Sequence, residues 1–173
     1  SASSAEQMGE MLSALSELQD TGLILTMPNA DPGGSELAVM VDAFVSEHDN
    51  ARVFTSLGQL RYLSLMKLVD GVVGNSSSGL LEAPSFHLGT VNIGDRQKGR
   101  LRAKSVIDCE PTKACISVAL EMLFSSEFRL LLDEAINPYG EGGASTSIVE
   151  ELVNADLEDL LIKSFYDLPV LST

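Results

Sequence analysis

Five short aliphatic runs, each followed by a stretch with helical spacing, restrict this chain more than any other feature. The runs fall at residues 22–27, 52–54, 69–73, 90–93 and 105–107. Between them, Met8, Met11, Leu12, Leu15 and Leu18 recur at helical spacing, as do Leu37, Met40, Val41, Phe44 and Val45. Further helices are predicted near 59–68, from 112 to 124, from 126 to 136 and from 144 to about 165. Ser4 and Gln7 are spaced as a capping box for the first helix. Strands joined by helices pair in parallel, because a helix returns the chain to the same sheet edge, and the helices then bury both sheet faces. The expectation is an α/β fold with a parallel sheet and helices on both faces.

In such sheets, ligands bind at the carboxyl ends of the strands. Three loops predicted there are polar or rich in glycine, at 28–35, 74–79 and 94–100. The sharpest is Gly74-Asn75-Ser76-Ser77-Ser78-Gly79, which follows the run 69–73 and opens a short helix predicted to stop before Pro84. Free amides at a helix start, the helix dipole and serine hydroxyls together favour an anion. Gly74 and Gly79 are expected to let a ligand approach the backbone. Glu82, one turn further on, is placed to accept hydrogen bonds from a ribose. A polar loop with a serine N-cap is the plainer reading of the same residues, and the convergence of three such loops on one edge favours a phosphate-bearing ligand.

Charge narrows the partners. Among the 173 residues, 11 basic and 25 acidic side chains give a net charge of −14. That balance argues against nucleic acid as a partner. Yet Arg96, Lys98, Arg100, Arg102 and Lys104 place five of those basic residues within nine positions. This cluster is a candidate phosphate contact, or else a solvated basic loop. No apolar run is long enough to span a membrane. Cys109 and Cys115 suit reduced thiols of a cytoplasmic protein rather than a zinc site or a disulfide framework. His48 stands beside acids near a helix end and His87 within Phe86-His87-Leu88, so both are read as structural or solvated. With no metal-binding or catalytic-triad pattern, no metal or cofactor and no catalytic residue is expected in this chain.

Several segments then occur in a telling order: Pro28-Asn29-Ala30-Asp31, Ser56-Leu57-Gly58, Gly74 to Gly79, Glu82-Ala83-Pro84-Ser85-Phe86, Asn92 to Arg100, and Asn137-Pro138-Tyr139-Gly140. The ordered set, from about residue 4 to residue 168, resembles the carboxyl-terminal half of the UDP-N-acetylglucosamine 2-epimerases. The branch it resembles is the hydrolysing one of sialic-acid and legionaminic-acid biosynthesis. The resemblance implies one Rossmann-like domain over residues 1–173, half of a two-domain GT-B arrangement whose amino-terminal domain is absent from this chain.

It also implies roles. Asn29 would contact the nucleotide, Ser76 and Ser77 the diphosphate, Glu82 the ribose hydroxyls, and Arg96 would lie near the nucleotide. Enzymes of this family remove the C2 proton of the sugar, expel UDP to leave a glycal, and add water to give the 2-epimer. Most groups that act on the sugar belong to the amino-terminal domain, so this chain is expected to bind UDP or a UDP-N-acetylhexosamine without acting on it alone. Its expected partner is the missing domain; the sequence also allows a homo-oligomer. Relatives often carry a basic residue near Ser147, where this chain reads Thr146-Ser147-Ile148. A GT-B glycosyltransferase, or a nucleotide-binding module without chemistry, is the competing reading.

Overall fold

The computed structural model describes residues 2–28 and 33–156. Asn29 and the stretch 157–173 therefore lie outside the described residues, and with them most of the acidic tail. Residues 1–140 and 141–173 form two compact units.

In the first unit all five expected strands are present: β1 (Leu23–Thr26), β2 (Ala51–Phe54), β3 (Val72–Gly74), β4 (Thr90–Ile93) and β5 (Val106–Cys109). Every pairing is parallel. The strands form two ladders, β1-β2 and β3-β4-β5, rather than one continuous sheet. Leu25 lies opposite Val53 in the first, and Asn92 opposite Asp108 in the second. Leu23 and Leu25 pack into the same core as Val73, Val91 and Ile93, so both ladders serve one hydrophobic centre.

The helices follow their amphipathic spacing. α1 (Ser4–Leu15), α2 (Gly34–Glu47), α5 (Lys113–Leu123) and α6 (Ser126–Leu132) supply Leu12, Leu15, Phe44, Ile116, Leu120, Leu123 and Phe128 to that core. A second cluster builds on α3 (Gly58–Met66) and on a 3-10 helix (Ala83–Phe86), with Met66, Ala83 and Leu88 buried and Tyr62, Val72 and Phe86 against them. β3 thus contributes to both clusters, through Val73 and Val72. That is the covered double face expected of parallel strands. The outward residues of the first ladder remain wetter: Ile24 is 46% and Phe54 44% exposed.

Local chemistry shifts several boundaries. The capping box lies one residue earlier than the sequence suggested. Ser3 Oγ accepts from the Glu6 amide and Glu6 Oε2 accepts from the Ser3 amide, which holds the Glu6 carboxyl below its usual range. β3 begins at Val72, because the Val69 amide closes the end of α3 on Leu65. Leu123 packs over the backbone at Gly71 and Gly89, where any β-carbon would meet its methyl groups at 2.6 and 2.4 Å. Glu10 of α1 accepts from the Lys113 amide at the start of α5, and Glu17 pairs with the Lys113 ammonium at 2.7 Å. These contacts dock the first helix on the fifth.

The second unit contains α7 (Ala144–Asn154), which follows Gly143 at φ 82° and leaves Ile148, Val149, Leu152 and Val153 exposed. No helix among the described residues is long and apolar enough to cross a membrane.

Candidate functional site

β3 ends at Gly74, whose φ of 142° suits glycine and whose missing side chain would face open space. The chain then turns through Asn75, Ser76 and Ser77 into α4 (Ser78–Leu81). Ser76 Oγ accepts from the Ser78 amide at 3.3 Å, and the Ser78 hydroxyl lies 2.6 Å from that of Tyr62. The Ser77 hydroxyl makes no capping bond. Among the described residues, the amides of Ser76 and Ser77 have no hydrogen-bond acceptor. Two adjacent donors at a partly exposed turn are what an anion needs.

Two expectations for this turn change. α4 is a single turn of four residues, passing into the 3-10 helix that holds Pro84, so the dipole contribution is smaller than a full helix would provide. Attraction for an anion rests instead on amides, hydroxyls and nearby cations. Gly79 does not open the backbone to a ligand. It is buried, and its place is set by Thr90 of β4, whose hydroxyl donates to the Gly79 carbonyl at 2.9 Å.

The loop after β4 meets this turn. Arg96 Nη1 lies 3.4 Å from Asn75 Oδ1, and Gln97 Nε2 donates to the Asn75 carbonyl at 2.7 Å. Arg96 is exposed, whereas Gln97 is only 4% exposed. The structure therefore brings Ser76, Ser77 and Arg96 onto one edge, with Gln97 as the fastener that sequence reasoning quoted only as part of a motif. The basic cluster divides. Lys98, Arg100 and Lys104 are exposed. Arg102 is drawn inward: its Nε lies 2.6 Å from Asp108 Oδ2, and its guanidinium also donates to the carbonyls of Arg100 and Gln97.

Glu82 follows α4 directly. It is half-buried, and its Oε2 is enclosed without a hydrogen-bond partner. A carboxylate oxygen shielded from water is costly unless donors reach it, and a vicinal diol supplies two. The segment bearing Glu82 is clamped from far along the chain: Asn137 Nδ2 donates to the Leu81 carbonyl at 2.8 Å and to Ser85 Oγ at 2.7 Å. Tyr139, of the same Asn-Pro-Tyr-Gly segment, donates to the Leu101 carbonyl at 3.2 Å. Sequence reasoning singled out this motif without a role; the signal was a polar Asn ahead of a Pro-Tyr-Gly turn.

Both histidines make contacts within the fold. His48 stacks on Phe44 with ring centroids 4.0 Å apart, and His87, at φ 52°, reaches the Leu132 carbonyl through Nδ1. Among the described residues, no group of three or more potential ligands is placed to hold a metal ion. Both cysteines are free. Burial, and then the nearby Cys115, Asp108 and Glu110, push the Cys109 thiol up to about 11.

The chain as a whole is similar to known proteins. The chain is 38% identical over 94% of its length to the GDP/UDP-N,N′-diacetylbacillosamine 2-epimerase (hydrolyzing) of Campylobacter jejuni, covering 42% of that protein. It is 36% identical over 97% of its length to the polysialic acid biosynthesis protein P7 of Escherichia coli, covering 43%. The chain thus spans less than half the length of these relatives. In fold it is similar to the UDP-GlcNAc 2-epimerase of Methanocaldococcus jannaschii, solved in complex with UDP-GlcNAc and UDP, with a TM-score of 0.70 at 16% identity over 87% of this chain and 41% of that one. The family model for UDP-N-acetylglucosamine 2-epimerase matches residues 1–153, and with nearly the whole described chain inside that match, the protein belongs to this family.

Proposed function

We propose that this chain is the UDP-binding, carboxyl-terminal portion of a hydrolysing UDP-N-acetylglucosamine 2-epimerase. The full-length enzyme would release UDP and the 2-epimeric N-acetylhexosamine, either N-acetylmannosamine or a diacetamido analogue. One observation carries the reading: the unoccupied amides of Ser76 and Ser77 share one strand-end edge with the exposed Arg96, and the helix that this turn opens ends on Glu82, whose Oε2 has no partner. That set supplies donors and positive charge for a diphosphate and an acceptor for a ribose diol. The name of the Campylobacter jejuni relative, a hydrolyzing 2-epimerase of a GDP/UDP-linked sugar, supports a nucleoside-diphosphate sugar as the ligand.

In this reading Ser76 and Ser77 hold the diphosphate through amides and hydroxyls, Arg96 neutralises it, and Glu82 accepts from the ribose. Asn29, assigned to the nucleotide by resemblance, completes the proposal from outside the described residues. Binding of the diphosphate also stabilises it as a leaving group, since negative charge grows there as the bond to the sugar breaks. Proton removal at C2 and addition of water fall to an amino-terminal domain facing this one in a GT-B arrangement. The two free thiols fit a cytoplasmic setting.

Calorimetric titration of the chain with UDP, using CMP as control, tests the proposal. Saturable binding selective for UDP is expected. If neither nucleotide binds, a titration of the two-domain protein decides: UDP binding there shows that the site needs both domains, and none there overturns the reading.

A further inference from the structure

Asn75 is gripped twice, by consecutive residues of a loop more than twenty positions away in sequence. Arg96 reaches its side-chain oxygen at 3.4 Å, and Gln97 donates to its backbone carbonyl at 2.7 Å. The two grips differ in kind. The Arg96 contact is long and exposed and its acceptor is a neutral amide oxygen, so water or an anion replaces it at little cost. The Gln97 contact is short, and Gln97 is 4% exposed, so water has little access to its side-chain amide, although Asn75 itself is exposed.

The buried grip is itself braced. The Gln97 carbonyl accepts from Arg102 Nη2 at 3.4 Å, and Arg102 Nε lies 2.6 Å from Asp108 Oδ2. Asp108 Oδ1 in turn accepts from Asn92 Nδ2 at 2.7 Å, across the register pair of β4 and β5. Asn92 is completely buried. A chain of polar contacts thus runs from Asn92 of β4 through Asp108 of β5 and the loop 94–102 to the carbonyl immediately before the two free amides of Ser76 and Ser77.

Resting on the UDP reading above, we infer that Gln97 is a positioning residue for the diphosphate: it fixes the Asn75 peptide so that the Ser76 and Ser77 amides are set before ligand arrives, while Arg96 is free to leave Asn75 for the anion. Fixing donors in advance removes an ordering cost from binding. The effect falls on phosphate rather than on the nucleoside, because the braced turn carries only the phosphate donors.

The test compares Gln97→Glu and Gln97→Leu with the unmodified chain, each titrated with UDP and with uridine. Glutamate keeps the shape of glutamine but, when ionised, has no proton for the Asn75 carbonyl. Leucine removes both polar atoms. UDP affinity is expected to fall roughly three- to tenfold in Gln97→Glu, the scale of one neutral hydrogen bond. Uridine affinity should stay within twofold. A general loss of folding would lower UDP and uridine affinity together, and that outcome overturns the inference. So does UDP affinity unchanged in both Gln97 variants while the unmodified chain binds UDP. Failure of the unmodified chain and of the two-domain protein to bind UDP overturns the functional reading first, and this inference with it.

Discussion

A β-carbon added to Gly79 would lie 2.5 Å from Thr90 Cγ2, while the Thr90 hydroxyl donates to the Gly79 carbonyl at 2.9 Å. The absence of a side chain at Gly79 is thus what lets α4 rest directly on β4. The turn at 74–79 combines two unlike glycines: Gly74 serves backbone conformation, and Gly79 serves helix-on-strand packing.

Gly79→Ala should therefore act on stability before binding. Forcing one carbon into a closed contact costs about 1–3 kcal/mol. Thr90→Ser in the same chain deletes the obstructing methyl, keeps the hydroxyl, and should recover most of that loss. Urea unfolding of the single and double variants measures both effects. A Gly79→Ala chain of full stability that has lost UDP binding would return this glycine to ligand approach.

Ser77→Ala and Glu82→Ala should each weaken UDP by about 1.5–3 kcal/mol, the range for hydrogen bonds involving a charged group. The two losses should separate with truncated ligands. Inorganic diphosphate should report the Ser77 change and uridine the Glu82 change, in competition titrations. Full affinity in both variants would remove this turn from the site.

Arg96 and Arg102 should behave differently although both belong to the basic cluster. Arg96→Ala should weaken UDP more than uridine and leave the melting temperature unchanged, since its hydrogen bond to Asn75 is long and exposed. Arg102→Ala should lower the melting temperature, because it removes the cation beside Asp108 Oδ2 and one of the two donors to the Gln97 carbonyl. Calorimetric melting beside the titrations checks both.

Cys109 gives a pH signature. Burial raises its thiol from 9.0 to about 11 in the folded chain. An unfolded chain loses that proton earlier, so between those values it binds fewer protons than the native state, and stability falls as pH rises. Stability linked to this thiol is complete below pH 9.0 and is lost as the pH climbs toward about 11. Cys109→Ala should flatten that part of a stability profile measured by urea unfolding. In the native chain, exposed Cys115 should be alkylated well before Cys109 at neutral pH.

The fold class was legible because hydrophobic periodicity is a local property. Leu37, Met40, Val41 and Phe44 announce a helix whatever lies opposite them, and residues 90–93 announce a buried strand. That Ser76 and Ser77 lie in the turn from β3 into α4, with Glu82 at the end of that helix, was also legible, since those residues are neighbours in the chain. Boundaries were less so: Ser3 rather than Ser4 caps α1, and Val69 ends a helix rather than starting a strand. Such choices depend on which amide finds which acceptor.

By itself, then, the sequence determined the alternation of parallel strands and helices, the polar strand-end loops and the chemical character of the donors they carry. Tertiary structure alone decided which glycine is needed for packing, which of the five clustered cations is drawn inward, and that Gln97, Asn137 and Tyr139 hold the loops in place. The loop fastenings join residues from 22 to 56 positions apart, such as Gln97 to Asn75 and Asn137 to Leu81. No local pattern encodes such a pairing, because a side-chain amide finds its carbonyl only after the strands have brought both to the same edge.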